Sequence, residues 1–224
     1  MDRIIRKTVA FVKEKLKFNE GGHDWFHTER VYNNALFIAH TESCDLLVVS
    51  LSALLHDIAD AKFHGGDEQL GPKVARDFLI SENVNKKIID HVVNIIENIS
   101  FKGGHEIQRF RSKELDIVQD ADRLEAIGAI GIARTFNYGG FKNRPIYDPE
   151  ILPNLKMSKE EYKHTKAPTI NHFYEKLLLL KDRMNTTRGS EMADKRHRFM
   201  ELFLSQFYDE CNGVLLPIGR KCFI

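Results

Sequence analysis

The stretch Leu46-Leu-Val-Val-Ser-Leu-Ser-Ala-Leu-Leu-His56-Asp57 decides how this chain is read: an uncharged, almost wholly apolar run ends in an imidazole and a carboxylate. The pattern predicts a central helix over 46–62, buried nearly all round and closed by Gly65-Gly66. A bare carboxylate taken out of water at the end of such a helix is destabilising by several kcal/mol unless a counter-charge or a metal sits beside it. Something positive is therefore expected at Asp57. The end of a helix is also the negative pole of its macrodipole, where a cation is favoured.

Two further strings supply partners. Upstream, in His23-Asp-Trp-Phe-His-Thr-Glu-Arg30, the residues His27, Val31, Ala35 and Ile38 fall on one helical stripe, so His27 faces inward. Downstream, Gln119-Asp-Ala-Asp-Arg-Leu124 offers two carboxylates that a helix sends to nearly opposite sides. Asp122 is the choice, because Val118 and Ala126 flank it one turn away, whereas Asp120 follows the charged Asp116; an irregular start to this helix would reverse the choice. His27, His56, Asp57 and Asp122 thus form a set of two imidazoles and two carboxylates. It suits one divalent ion, Mn²⁺, Fe²⁺, Co²⁺, Ni²⁺, Zn²⁺ or Mg²⁺, with Mn²⁺ favoured. Four protein ligands on an octahedral ion leave room for water and a substrate oxygen, which is what metal-assisted hydrolysis needs. Asp60 lies one turn beyond His56 and Asp57 and is the candidate catalytic group that orients or deprotonates that water.

The 224 residues suit one domain, read here as 1–212 with a tail over 213–224. Helical periodicity extends over 2–17, 67–80, 84–98, 113–138 with a break near Gly128, 169–185 and 190–211. The fold class expected is all-α. With 33 Lys and Arg against 32 Asp and Glu, no charge excess argues for nucleic acid or a membrane surface as partner. Three scattered cysteines without a Cys-x-x-Cys pair, and no apolar run near the ~20 residues of a membrane span, point to a cytoplasmic protein. His40, His64, His164 and His197 are read as surface residues, and the aromatic stretch Phe199–Tyr208 as core or homodimer packing.

The ordered strings His-Asp-Trp-Phe-His-Thr-Glu-Arg-Val, Leu-Leu-His-Asp-Ile-Ala-Asp and Gln-Asp-Ala-Asp-Arg-Leu-Glu-Ala-Ile-Gly-Ala-Ile-Gly resemble the HD-domain metal-dependent phosphohydrolase superfamily. The resemblance continues through Ile99-Ser-Phe-Lys102, Ala133-Arg-Thr-Phe-Asn-Tyr-Gly-Gly140 and Ile170-Asn-His-Phe-Tyr-Glu-Lys-Leu177, which are similar to its single-domain bacterial branch, the one including nucleoside-triphosphate pyrophosphohydrolases. It implies a single-domain helical bundle, metal on His27, His56, Asp57 and Asp122, hydrolysis of phosphoester or phosphoanhydride bonds, and a substrate role for Lys176.

A phosphorylated substrate, a nucleotide by preference, needs further cations around the metal. Arg30, Lys62, Lys102, Arg123 and Arg134 are the candidates, with His23 as a donor in the same cleft and Tyr138 as a stacking or hydroxyl contact. Cleavage of a nucleoside triphosphate to monophosphate and pyrophosphate is the leading reaction, and 5′-nucleotidase or another phosphoesterase activity the alternative. A metal-bound sensor without turnover, and a polyanion binder using Lys142–Arg144 and Lys195–Arg198, are the competing classes.

Overall fold

The computed structural model describes residues 2–17, 22–59, 67–99, 110–157 and 165–211. Among them there are helices and connections but no strand. The elements are α1 (Asp2–Lys15), α2 (Trp25–Ala39), α3 (Leu46–Leu55), α4 (Leu70–Ser81), α5 (Lys86–Asn98), α6 (Lys113–Glu125), α7 (Gly128–Phe141), α8 (Asn171–Glu175), a 3₁₀ helix (Leu177–Arg183) and α9 (Thr187–Cys211).

α3 is the hub. Every residue from Val48 to Leu55 is buried, and the helix packs against α1, α2, α5 and α6. Its start is fixed by Asp45, whose carboxylate accepts the N–H groups of Leu47 and Val48 at 2.9 and 3.2 Å. Its end comes earlier than the apolar pattern predicts, at Leu55 instead of Lys62. The reason is local. The ring of His56 donates to the carbonyl of Ala53 at 2.9 Å, an acceptor that a continuing helix would reserve for residue 57. Ile58 then bonds back to Leu55 in a tighter turn, and stays 5% exposed without being helical.

Two other expectations change. The 169–185 segment is not one helix: α8 stops at Glu175, and Leu177 to Arg183 wind as 3₁₀. The buried pair Leu177 and Leu180 is spaced by three, which suits three residues per turn. His197 is not a surface residue, since its side chain is 12% exposed. The break near Gly128 is present, with Gly128 at φ +75° opening α7 where an added Cβ would come within 2.9 Å of the Arg196 side chain. Phe203 and Phe207 belong to an aromatic layer. Phe203 stacks on Phe173 at 5.7 Å, and Tyr147 meets the rings of Phe207 and Tyr208 at 5.8 and 5.5 Å, pinning the segment after α7 to the end of α9. Among the described residues no helix is long and apolar enough to cross a membrane.

Candidate metal centre

Three helix ends converge on one point. α2 begins at an N-cap, Asp24, whose side chain accepts the backbone N–H of His27 at 2.8 Å, so the third helical residue is delivered with its ring pointing inward at 1% exposure. α3 ends at His56, with Asp57 in the turn that follows. α6 brings Asp122 within its last turn. Two of these three ends are C-terminal, so backbone carbonyl dipoles add negative potential to that of the carboxylates.

The candidate ligand atoms meet closely. His27 Nε2 lies 3.4 Å from Asp57 Oδ2 and 3.7 Å from Asp122 Oδ1. His56 Nε2 lies 3.5 and 3.8 Å from the same two oxygens. These separations are too long for hydrogen bonds. They are instead close to the spacing of neighbouring donors around one ion whose bonds are about 2.0–2.2 Å. Both Nε2 atoms are buried and lack a hydrogen-bond partner, which in a protein interior is destabilising unless a ligand compensates. The bond from His56 Nδ1 to the Ala53 carbonyl places the proton on Nδ1 and leaves the Nε2 lone pair facing the cluster. A divalent cation fits this donor set.

The two histidines and the carboxylates interact electrostatically. Burial opposes protonation of His27, yet Asp57 and Glu125 beside it raise its pKa above the ordinary histidine value. Burial likewise opposes ionisation of Asp57, but the imidazoles of His56 and His27 hold its carboxyl well below the usual carboxylate range.

Around the cluster, the ring of His23 stands 5.9 Å from that of His27. Arg30 donates from Nε to Glu125 Oε2 at 2.7 Å, with its side chain 38% exposed. Arg134 bridges the carbonyls of Gly22 and Glu125 at 2.5 and 3.2 Å, close enough to His27 to oppose its protonation. Tyr138, one turn further along α7, is 37% exposed between Lys142 and Arg144, whose cationic groups lie 5.6 and 5.8 Å from its ring centre. Lys176 sits at the junction of α8 and the 3₁₀ helix and acts electrostatically on His172. Arg123 is directed elsewhere: its guanidinium donates to the Arg183 carbonyl and stands 3.8 Å from Asp120, which ties α6 to the 3₁₀ helix instead of facing the cluster. Asp60, Lys62 and Lys102 lie outside the described residues.

Two residues are passed over by the sequence reading. Asp120, on the other side of α6 from Asp122, is fully buried and accepts the backbone N–H groups of Asn185 and Thr186 and the Thr186 hydroxyl, all at 2.8 Å, so it anchors the start of α9. Burial raises its pKa in spite of these donors. Glu125, 1% exposed, stands behind His27. Its signal in the sequence is its place one turn past Asp122.

The HD domain family profile matches residues 25–127. An HD-superfamily hydrolase of Bacillus thuringiensis is 42% identical, covers 94% of this chain and 98% of its own, and superimposes with a TM-score of 0.74. A Lactobacillus plantarum protein is 34% identical over 95% and 98% of the two chains, with a TM-score of 0.81. YpgQ of Bacillus subtilis is 37% identical over 206 residues, 92% of each chain; its structure in complex with ADP gives a TM-score of 0.74 at 32% identity over 92% and 94%. With an ordered His, His-Asp, Asp set whose two histidines are buried and relatives matching over nearly the whole length, the chain belongs to the HD-domain family of metal-dependent phosphohydrolases.

Proposed function

We propose that the protein hydrolyses nucleotides at this centre, converting a nucleoside or deoxynucleoside triphosphate to the monophosphate and pyrophosphate. The observation that carries the reading is the pair of buried, partnerless Nε2 atoms facing two carboxylates. The nucleotide preference is supported by the ADP complex of YpgQ. His27, His56, Asp57 and Asp122 would hold one divalent ion, with Mn²⁺ the first choice. Such an ion supplies an acidified water and polarises a phosphoryl oxygen.

The chain's own groups do the rest. Asp60 takes a proton from the attacking water, whose oxygen adds to phosphorus as the bond to the pyrophosphate oxygen breaks in line. Arg30 and Arg134 lie on the His27 side of the cluster, and the exposed part of the Arg30 guanidinium is suited to a phosphate. Lys62 and Lys102 add charge for the polyphosphate, and His23 donates within the same cleft. The half-open face of Tyr138, flanked by Lys142 and Arg144, suits a base or sugar.

The test is product release from a panel of NTPs, dNTPs and nucleoside monophosphates, using chelator-stripped protein supplied with Mn²⁺, Mg²⁺, Co²⁺ or Ni²⁺. Pyrophosphate from triphosphates is the expected outcome. Inorganic phosphate from monophosphates alone would move the assignment to a 5′-nucleotidase, and metal binding without any product would favour the sensor reading.

A further inference from the structure

The two histidines of the cluster are held by different means, and the difference singles out Glu125. His56 is oriented from within its own helix by the Ala53 carbonyl. For His27 the equivalent carbonyl, that of Asp24 three positions back, accepts the backbone N–H of Thr28 at 3.2 Å. The Nδ1 of His27 is buried without a hydrogen-bond partner and faces Glu125 Oε2 at 3.6 Å, beyond hydrogen-bond length. That same oxygen accepts Arg30 Nε at 2.7 Å, while Oε1 stands 4.0 Å from Arg196 Nη1. A carboxylate 1% exposed and ringed by donors from α2 and α9 is not a solvated surface charge. It also shares a face of α6 with Asp122, one turn earlier.

We infer that Glu125 is a positioning residue: its carboxylate is the negative charge that His27 Nδ1 faces, favouring the tautomer with the proton on Nδ1 and the Nε2 lone pair toward the cluster, and it ties Arg30 to the same carboxylate. The inference rests on the reading of His27 as a metal ligand. Glu125 acts through His27. Imidazole ligands generally gain orientation and basicity from an acceptor on their other nitrogen, and losing that acceptor weakens metal binding by about 10–100-fold. The arrangement also places on one buried oxygen both the orientation of a ligand and the Nε of an arginine whose remaining donors are available to phosphate.

The experiment is a calorimetric titration of Mn²⁺ into the chelator-stripped full chain, comparing the unmodified protein, Glu125→Gln and His27→Gln, with melting curves of each metal-free form. The Glu125→Gln change keeps the volume but turns an NH₂ group toward one of two donors. The expected result is that His27→Gln loses Mn²⁺ and Glu125→Gln binds it about 10–100-fold more weakly, while its metal-free melting temperature stays near that of the unmodified protein. Unweakened binding by Glu125→Gln, with binding lost in His27→Gln, overturns the positioning role alone. Unweakened binding by His27→Gln overturns it together with the ligand assignment. A second readout needs no variant that must fold: long-range ¹H–¹⁵N spectra of the histidine-labelled, metal-free protein at alkaline pH. The Nδ1–H tautomer of His27 is expected, and an Nε2–H tautomer overturns the inference.

Discussion

His56 has one ring nitrogen committed to its own helix and the other buried without a partner, so its side chain has no structural work to do on the Nε2 side except to meet a cation. Replacing it by Ala is expected to remove stoichiometric metal and hydrolysis together, as measured by elemental analysis and product release; a variant that keeps its metal would refute the ligand role. His172 makes a second prediction, about pH. Burial, followed by the nearby charges of Lys176 and Arg144, lowers its pKa to about 3. The unfolded chain takes up a proton near pH 6.5 that the folded chain refuses. Its contribution to stability is therefore complete above pH 6.5 and lost progressively as the pH falls toward 3. In His172→Gln the decline of unfolding free energy between pH 7 and pH 4 should be shallower, by at most one proton's worth of slope, when followed by urea denaturation. What a single sequence discloses at this scale depends on distance along the chain. The inward stripe of His27, Val31, Ala35 and Ile38 is legible because all four share one helix, and they are 0–1% exposed. The separation of Asp122 from Asp120 is legible from neighbours a turn away. The company Glu125 keeps is not, since His27 and Arg30 lie about a hundred positions earlier.

At the scale of elements, the start of α9 depends on a carboxylate from α6. Asp120 satisfies the backbone donors of Asn185 and Thr186, the two residues before the helix, and Gly189 leaves the space, since an added Cβ there would collide with Asp120 Oδ2. Asp120→Ala should destabilise the protein by about 3 kcal/mol, the range for losing charged hydrogen bonds and stranding buried N–H groups, and Gly189→Ala by about 1–3 kcal/mol through overpacking. Equilibrium unfolding in urea measures both, and wild-type stability in Asp120→Ala would show that water replaces the carboxylate at Asn185 and Thr186. Elements whose ends are set by side chains nearby in sequence are readable, as with Asp24 for α2 and Asp45 for α3. Ends set by tertiary partners or by a ring reaching back to a carbonyl are not. The apolar run past Leu55 carries no sign that His56 takes the Ala53 acceptor, and nothing near Thr186, which caps α9 by accepting the Gly189 N–H at 3.0 Å, announces that this cap is itself anchored by residue 120.

For the whole molecule, the segments bearing the proposed ligands are far apart in sequence, at 27, 56–57 and 122, and adjacent only after α2, α3 and α6 have packed. An unfolded chain offers the ion only scattered side chains. Metal is then a selector of the folded ensemble as well as a reagent, and the two capacities can be separated by experiment. Free Mn²⁺ at a hundred times its dissociation constant should add about 2.7 kcal/mol to stability, raising the melting temperature by about 5–10 °C for a chain of this size. The rise should vanish in His56→Ala. An unmoved melting temperature in the unmodified protein, with hydrolysis still metal-dependent, would mean that the ion arrives only with the substrate. If the rise is found, the abundance of this protein in a metal-starved cell will fall with its occupancy, because the unliganded fraction is also the fraction most exposed to proteases.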